Sequence, residues 1–105
     1  MARAGRRGLE GALNAALLCC DAAASDWTTW DAHAARAELL LGASGFVDAD
    51  IAWALQHAGE LAAAQEQSLR ADRAWRMACA QWTAVGQGDR AESLEERIVD
   101  LNRGG

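Results

Sequence analysis

Apolar residues recur through most of this chain at spacings of three and four, the pattern of helices that each turn one face to a core. Five such segments can be drawn. The first spans about Leu9 to Ala24, with Leu13, Leu17 and Cys20 on one face; Ser25 and Asp26 follow, with side-chain oxygens suited to capping the next helix. The second runs from Trp27 to about Leu41, where Trp27, Trp30, Ala34, Ala37 and Leu41 form one stripe, and Gly42-Ala43-Ser44-Gly45 ends it. The third starts after Asp48 and reaches about Gln65, with Ile51, Leu55, Ala58 and Ala62 on one side and Trp53, His57 and Leu61 beside them. Gln65-Glu66-Gln67-Ser68 reads either as a turn, with Ser68 capping a fourth helix, or as the middle of one long helix.

From Leu69 to Val85 the stripe is Ala71, Trp75, Ala78, Trp82 and Val85, broken by Gly86-Gln87-Gly88. Asp89 and Glu92 then stand at the spacing of a capping box. The fifth helix places Ala91, Leu94, Ile98 and Leu101 along one edge and charge elsewhere, so it reads as a closing helix with one wet face.

Composition narrows the fold to all-α. The chain has no proline, few β-branched apolar residues, and a 51% hydrophobic content drawn largely from alanine. Alanine carries the highest helix propensity and little apolar area, which favours antiparallel hairpins packed closely over a thick core. The 105 residues make one domain's length. Residues 1–8, with Arg3, Arg6 and Arg7, are expected to form a basic flexible tail, and residues 9–105 a single helical domain.

The net charge of −5 comes from fifteen acids and ten bases, all of them arginine. Without the tail, seven bases face fifteen acids, a body that repels phosphate backbones, so no nucleic acid partner is expected. No apolar run approaches the roughly 20 residues needed to cross a bilayer, so no membrane partner is expected either. Cys19, Cys20 and Cys79 are an odd count without metal-ligand spacing; they read as reduced packing residues of a cytoplasmic protein.

Leu55, Ala58-Gly59, Ala62, Ala71, Trp75 and Ala78 alternate large, small and aromatic positions across two helices. In this the stretch from Ala52 to about Val85 resembles a tetratricopeptide repeat, the helix-turn-helix unit of about 34 residues that stacks into solenoids. Glu66 stands where the family usually has glycine, and Thr83 lies near the place of its proline. The first two helices follow the pattern loosely, with Trp30 where the family prefers alanine. The resemblance implies stacked hairpins, a capping fifth helix, and a surface that holds a partner protein or peptide.

Candidate chemistry is sparse. His57 with Glu60 one turn on, and the distant His33, invite a metal reading, but carboxylate-bridged bundles need paired motifs in which Glu precedes His by three. No metal, cofactor or enzymatic activity is expected. Burial beside Trp75 and Trp82 would keep Cys79 inert. Arg70, Arg73 and Arg76 form a basic ridge that is either a solvated, internally paired face or a clamp for an acidic partner. The five tryptophans are the most informative feature, because tryptophan concentrates binding energy at interfaces. At least one of Trp27, Trp30 and Trp53 is expected to be partly exposed.

These features define an expected partner-binding set of Trp27, Trp30, Trp53, His57, Arg70, Arg73 and Arg76 on a non-enzymatic adaptor. Two hairpins and a cap fall short of the three units a solenoid usually needs, so a homodimer is expected. The rival reading is a helical-bundle accessory subunit of an enzyme complex, holding a small apolar ligand or metal in its interior.

Overall fold

Three turns of one design set the architecture. A computed structural model describes residues 2–45 and 47–104, which form α1 (Ala2–Ala23), α2 (Trp27–Ser44), α3 (Ala49–Ala64), α4 (Ser68–Ala84) and α5 (Gly88–Gly104). Ser25, Glu66 and Gly86 hold positive φ angles of 55°, 60° and 84°. At each, two backbone bonds close the helix behind it. The residue itself donates to the carbonyl three before it, and its successor donates to the carbonyl five before, as from Asp26 to Asp21, Gln67 to Ala62 and Gln87 to Trp82. This Schellman geometry satisfies carbonyls that a helix end leaves unpaired and reverses the chain within a few residues. Gln65 to Gln67 is therefore a turn, and α3 and α4 are separate helices.

Capping follows the sequence in part. Asp26 accepts from the Thr29 amide at 3.2 Å and Asp48 from the Asp50 amide at 2.7 Å. At α4 the N-cap is Gln67 without a side-chain capping bond, and Ser68 is already helical. Asp89 likewise lies inside the first turn of α5.

The helices form two layers. α1 packs on α2 and on α3, α3 on α4, and α4 on α5, while α2 and α4 only graze. Side chains link α3 to α5, so α1, α3 and α5 make one layer and α2 with α4 the other. The two hairpin turns are stitched together: Gln65 donates from Nε2 to the Ala22 carbonyl at 2.7 Å, and the Ser25 hydroxyl donates to Gln65 Oε1 at 2.6 Å. The assembly is a slab of 44 × 31 × 17 Å.

Close approach is what the alanines provide. Ala15, Ala22, Ala34, Ala37, Ala52, Ala58, Ala62, Ala71, Ala74 and Ala78 are wholly buried. Gly59 is the tightest point, since a Cβ there would fall 2.9 Å from Trp75 Cγ and closer still to Cδ1 and Nε1. The Trp75 indole packs directly on the α3 backbone at that place. Its Nε1 donates to the Gln56 carbonyl at 3.0 Å, and Trp82 Nε1 donates to Gln56 Oε1 at 2.9 Å, so one residue of α3 holds both indoles of α4. Trp30 is also fully buried, but its Nε1 has no hydrogen-bond partner among the described residues.

Two expectations need correction. The face read on the first helix, Leu13-Leu17-Cys20, is not the buried one: α1 turns Gly11, Ala15, Leu18 and Ala22 inward and leaves Leu13 and Cys20 exposed. The small side packs because α2 and α3 can come nearer to it. α1 also starts at Ala2 rather than Leu9. The expected basic tail, 1–8, falls where side chains lie outside the described residues.

Candidate functional site

α3 and α5 run parallel and offer matched rungs seven residues apart, Trp53 and Glu60 on α3 against Arg90 and Arg97 on α5. Seven residues are two helical turns, about 10.5 Å, so both rungs project from the same side of their helices. At the first rung the Arg90 guanidinium carbon lies 4.7 Å from the Trp53 ring centroid and 5.1 Å from that of Trp82. The two indoles meet edge to face, 5.1 Å apart at 89°. At the second rung Arg97 stands 4.7 Å over Trp75 and donates to Glu60 Oε2 at 3.0 Å. Glu60 also lies 3.6 Å from His57 Nδ1.

Between the rungs is a groove of about 270 Å³, lined by Gln56, Asp89, Arg90, Ser93, Leu94 and Arg97. Its floor is rigid because Gln56 is already bonded to Trp82 and its carbonyl to Trp75. Trp53 lies beside the groove under the Arg90 guanidinium and is 46% exposed, the most open of the large aromatic side chains described. Such a surface can take an apolar group against the indole and an anionic group against Arg90. Arg36, Arg70, Arg73, Arg76 and Arg97 each pair with a carboxylate of the same chain. Arg90 and Arg103 show no such pair among the described residues, and of the two only Arg90 is held on aromatic rings.

The structure divides the expected partner-binding residues among three places. Trp53 lies against Arg90 beside the groove, and His57 neighbours Glu60 with its side chain 60% exposed. Trp30 lies in the core and is removed from any partner surface. Trp27 is half-buried with its ring centroid 6.3 Å from that of Trp30, under the Arg70 guanidinium at 5.5 Å.

The basic ridge is spent within the fold. Arg70 makes a forked pair with Asp31 at 2.9 and 2.8 Å, Arg73 reaches Glu38 at 2.5 Å, and Arg76 holds Asp72 at 2.8 Å. Arg70 and Arg73 thus tie α4 to α2. The Arg70 hydrogen bonds hold the Asp31 carboxyl below its ordinary range, and the Arg76 bond does the same for Asp72.

Gln56, Arg90, Ser93 and Arg97 are groove residues that sequence reasoning missed. The available signal was the shared seven-residue spacing of Trp53 with Glu60 and of Arg90 with Arg97. Elsewhere, His33 meets Asp21 at 2.5 Å, linking α2 to α1. Burial raises the thiols of Cys19 and Cys79, with neighbouring Cys20 and Glu95 adding to each. Among the described residues, no three His, Cys, Asp or Glu side chains converge as metal ligands would, and no helix is long and apolar enough to cross a membrane. Comparisons with family models, curated proteins and solved structures give no match. What the fold defines is an all-α stack of antiparallel hairpins.

Proposed function

We propose that this chain is a non-enzymatic docking module, an adaptor of the tetratricopeptide-like kind, whose α3–α5 groove holds a segment of a partner protein that offers an apolar side chain beside a carboxylate. The observation that carries this reading is Trp53, left nearly half exposed with an Arg90 guanidinium stacked on it that has no carboxylate partner among the described residues. An exposed indole and an aromatic-held arginine are the residue types that dominate binding energy at protein interfaces. The arginine is fixed before binding, so little side-chain entropy remains to be lost on capture.

Panning a random peptide display library against the intact protein tests the proposal. Enriched peptides should pair an aromatic or leucine with Asp, Glu or a free C-terminus. Their binding should fall by about tenfold or more on Trp53→Ala or on Arg90→Ala, as hot-spot truncation does. Arg73→Ala, on the other layer, should leave it unchanged. Failure to enrich any sequence, or enrichment indifferent to both groove substitutions, refutes the reading.

A further inference from the structure

Gln56 is oriented by the two indoles it holds, and that orientation leaves one end of it unused. Its backbone carbonyl accepts from Trp75 Nε1, and its side-chain Oε1 accepts from Trp82 Nε1. An indole N–H can only donate, so the amide is fixed with its oxygen toward Trp82 and its nitrogen turned away. Gln56 Nε2 finds no acceptor among the described residues. Nor is it sealed in, because Trp30 Nε1 is the one side-chain nitrogen or oxygen buried without a partner among those residues. Gln56 lines the α3–α5 groove, so two neutral N–H donors open there.

A cationic donor set stands beside them. The Arg90 guanidinium lies 5.1 Å from the Trp82 centroid, so it and the Gln56 amide rest against the same indole. A guanidinium suits a charged oxygen, whereas an uncharged amide N–H suits a neutral one. The neutral acceptor that every residue of a polypeptide brings is its main-chain carbonyl. In a helix that carbonyl is already bonded to the amide four residues on, but in an extended segment it is free.

We infer that Gln56 reads the main chain of the captured segment, with Nε2 donating to a backbone carbonyl, and that the segment is held extended. Given the docking site proposed above, on which this rests, the mode of capture also fixes a spacing. Trp53 and Arg90 lie against one another, the guanidinium carbon 4.7 Å from the ring centroid, so the apolar side chain and the carboxylate that meet them leave the segment on one side. Along an extended chain, side chains on one side are two residues and about 6.6 Å apart. Along a helix they are three or four residues apart. The recognised pattern is therefore an apolar residue, any residue, then an acid, or the reverse order, with a carbonyl between them on Gln56.

Two capped peptides test this, N-acetyl-Gly-Leu-Ser-Asp-Gly-amide and N-acetyl-Gly-Leu-Ser-Ala-Asp-Gly-amide, which set leucine and acid two or three residues apart. Each is titrated at millimolar concentration into the intact, nitrogen-15-labelled protein. The Gln56 side-chain NH2 signals are assigned by their absence in Gln56→Glu. The first peptide should move those protons downfield and bind about tenfold or more tighter than the second. Gln56→Glu keeps an oxygen for Trp82 Nε1 and exchanges the donor for an acceptor, so its thermal midpoint should stay near the parent's while its affinity for the first peptide falls by about tenfold or more. Gln56→Met, which puts no charge near Arg90, should weaken that peptide as well.

If Trp53→Ala and Arg90→Ala each weaken the first peptide while the Gln56 NH2 signals stay where they are, the docking proposal stands and the role given to Gln56 falls. Equal or tighter binding of the second peptide has the same meaning. Binding of neither peptide overturns the extended mode, and the library result then decides separately whether docking survives.

Discussion

Gly59→Ala is expected to destabilise the protein even though it replaces glycine by the best helix former in the middle of α3. Helix propensity alone favours the change by about 1 kcal/mol. Against this, the new Cβ would enter the Trp75 ring, at 2.9 Å from Cγ and closer to Cδ1 and Nε1, where about 3.5 to 4.0 Å is the favourable carbon separation. Trp75 is 3% exposed, is tied to the Gln56 carbonyl and has Arg97 stacked on it, so it has no open side to retreat into. Overpacking of this kind costs about 1 to 3 kcal/mol, and a displaced, unpaired indole N–H adds about 1 to 3 kcal/mol. The net loss should be about 2 to 4 kcal/mol, a fall of about 8 °C or more at about 4 to 8 °C per kcal/mol for a domain near this size.

Gly42→Ala supplies the control, because a Cβ there meets nothing within 4 Å. It should stabilise by about 0.5 to 1 kcal/mol. Urea melts followed by far-UV circular dichroism would measure both, with unchanged slopes showing that only stability moved. In a Trp75→Ala background the sign at position 59 should reverse, since the obstruction is gone and propensity remains. If Gly59→Ala matches or exceeds the parent in stability, the α3–α4 packing described above is wrong.

Glu66→Gly should stabilise by about 0.5 to 1 kcal/mol in thermal melts, because relief of a left-handed residue, about 1 to 2 kcal/mol, outweighs the extra freedom glycine gives the unfolded chain. Trp82→Phe should cost more than Trp30→Phe in chemical denaturation. The first leaves Gln56 Oε1 without its donor, whereas the second removes an N–H that is buried and unpaired already. Asp31→Asn should flatten the acid limb of a stability–pH curve. Arg70 lowers the folded-state pKa of Asp31, so the folded protein binds fewer protons than the unfolded chain near that range. The contribution is therefore present above the unfolded value of about 4 and disappears as pH falls through the folded value, and the half-exposed setting limits it to about 0.5 to 1 kcal/mol at neutral pH. Equal stability of parent and variant at pH 7 would show that the forked pair contributes nothing.

The fold was legible wherever one face of a helix held the large residues. The stripes Ala71-Trp75-Ala78-Trp82-Val85 and Trp27-Trp30-Ala34-Ala37-Leu41 contrast with charged neighbours, and the structure buries all of them but Trp27 and Val85, which are half-buried at the stripe ends. α1 gave no such contrast. Its first face, Leu13-Leu17-Cys20, and its second, Ala15-Leu18-Ala22, are both apolar, and area alone favours the first. The winning face is the one that lets backbones approach, a pairwise property that depends on α2 and α3 and cannot be scored from one helix. The same blindness left the Glu66 turn undecided against one long helix, since no residue type marks the left-handed position and the Schellman bonds alone close the helix.

The candidate site was harder to see because arginine reads identically whether it is structural or available. Arg70, Arg73 and Arg76 attracted attention as a ridge, yet their partners Asp31 and Glu38 lie on another helix, and only the packing of α2 beside α4 reveals that those charges are already spent. Arg90 looked like one more charge on a wet helix. The parallel course of α3 and α5 converts it into the mate of Trp53, and the seven-residue repeat puts Arg97 in the same relation to Glu60 one rung along. The difference between the rungs carries the functional argument. Arg97 has Glu60 as its counter-ion, whereas Arg90 has aromatic faces and, among the described residues, no acid, although α5 places acids one residue before it and two after. A cation fixed by rings, with no acid beside it among the described residues, next to an indole that remains exposed, is the arrangement on which the proposed docking of a partner's carboxylate rests.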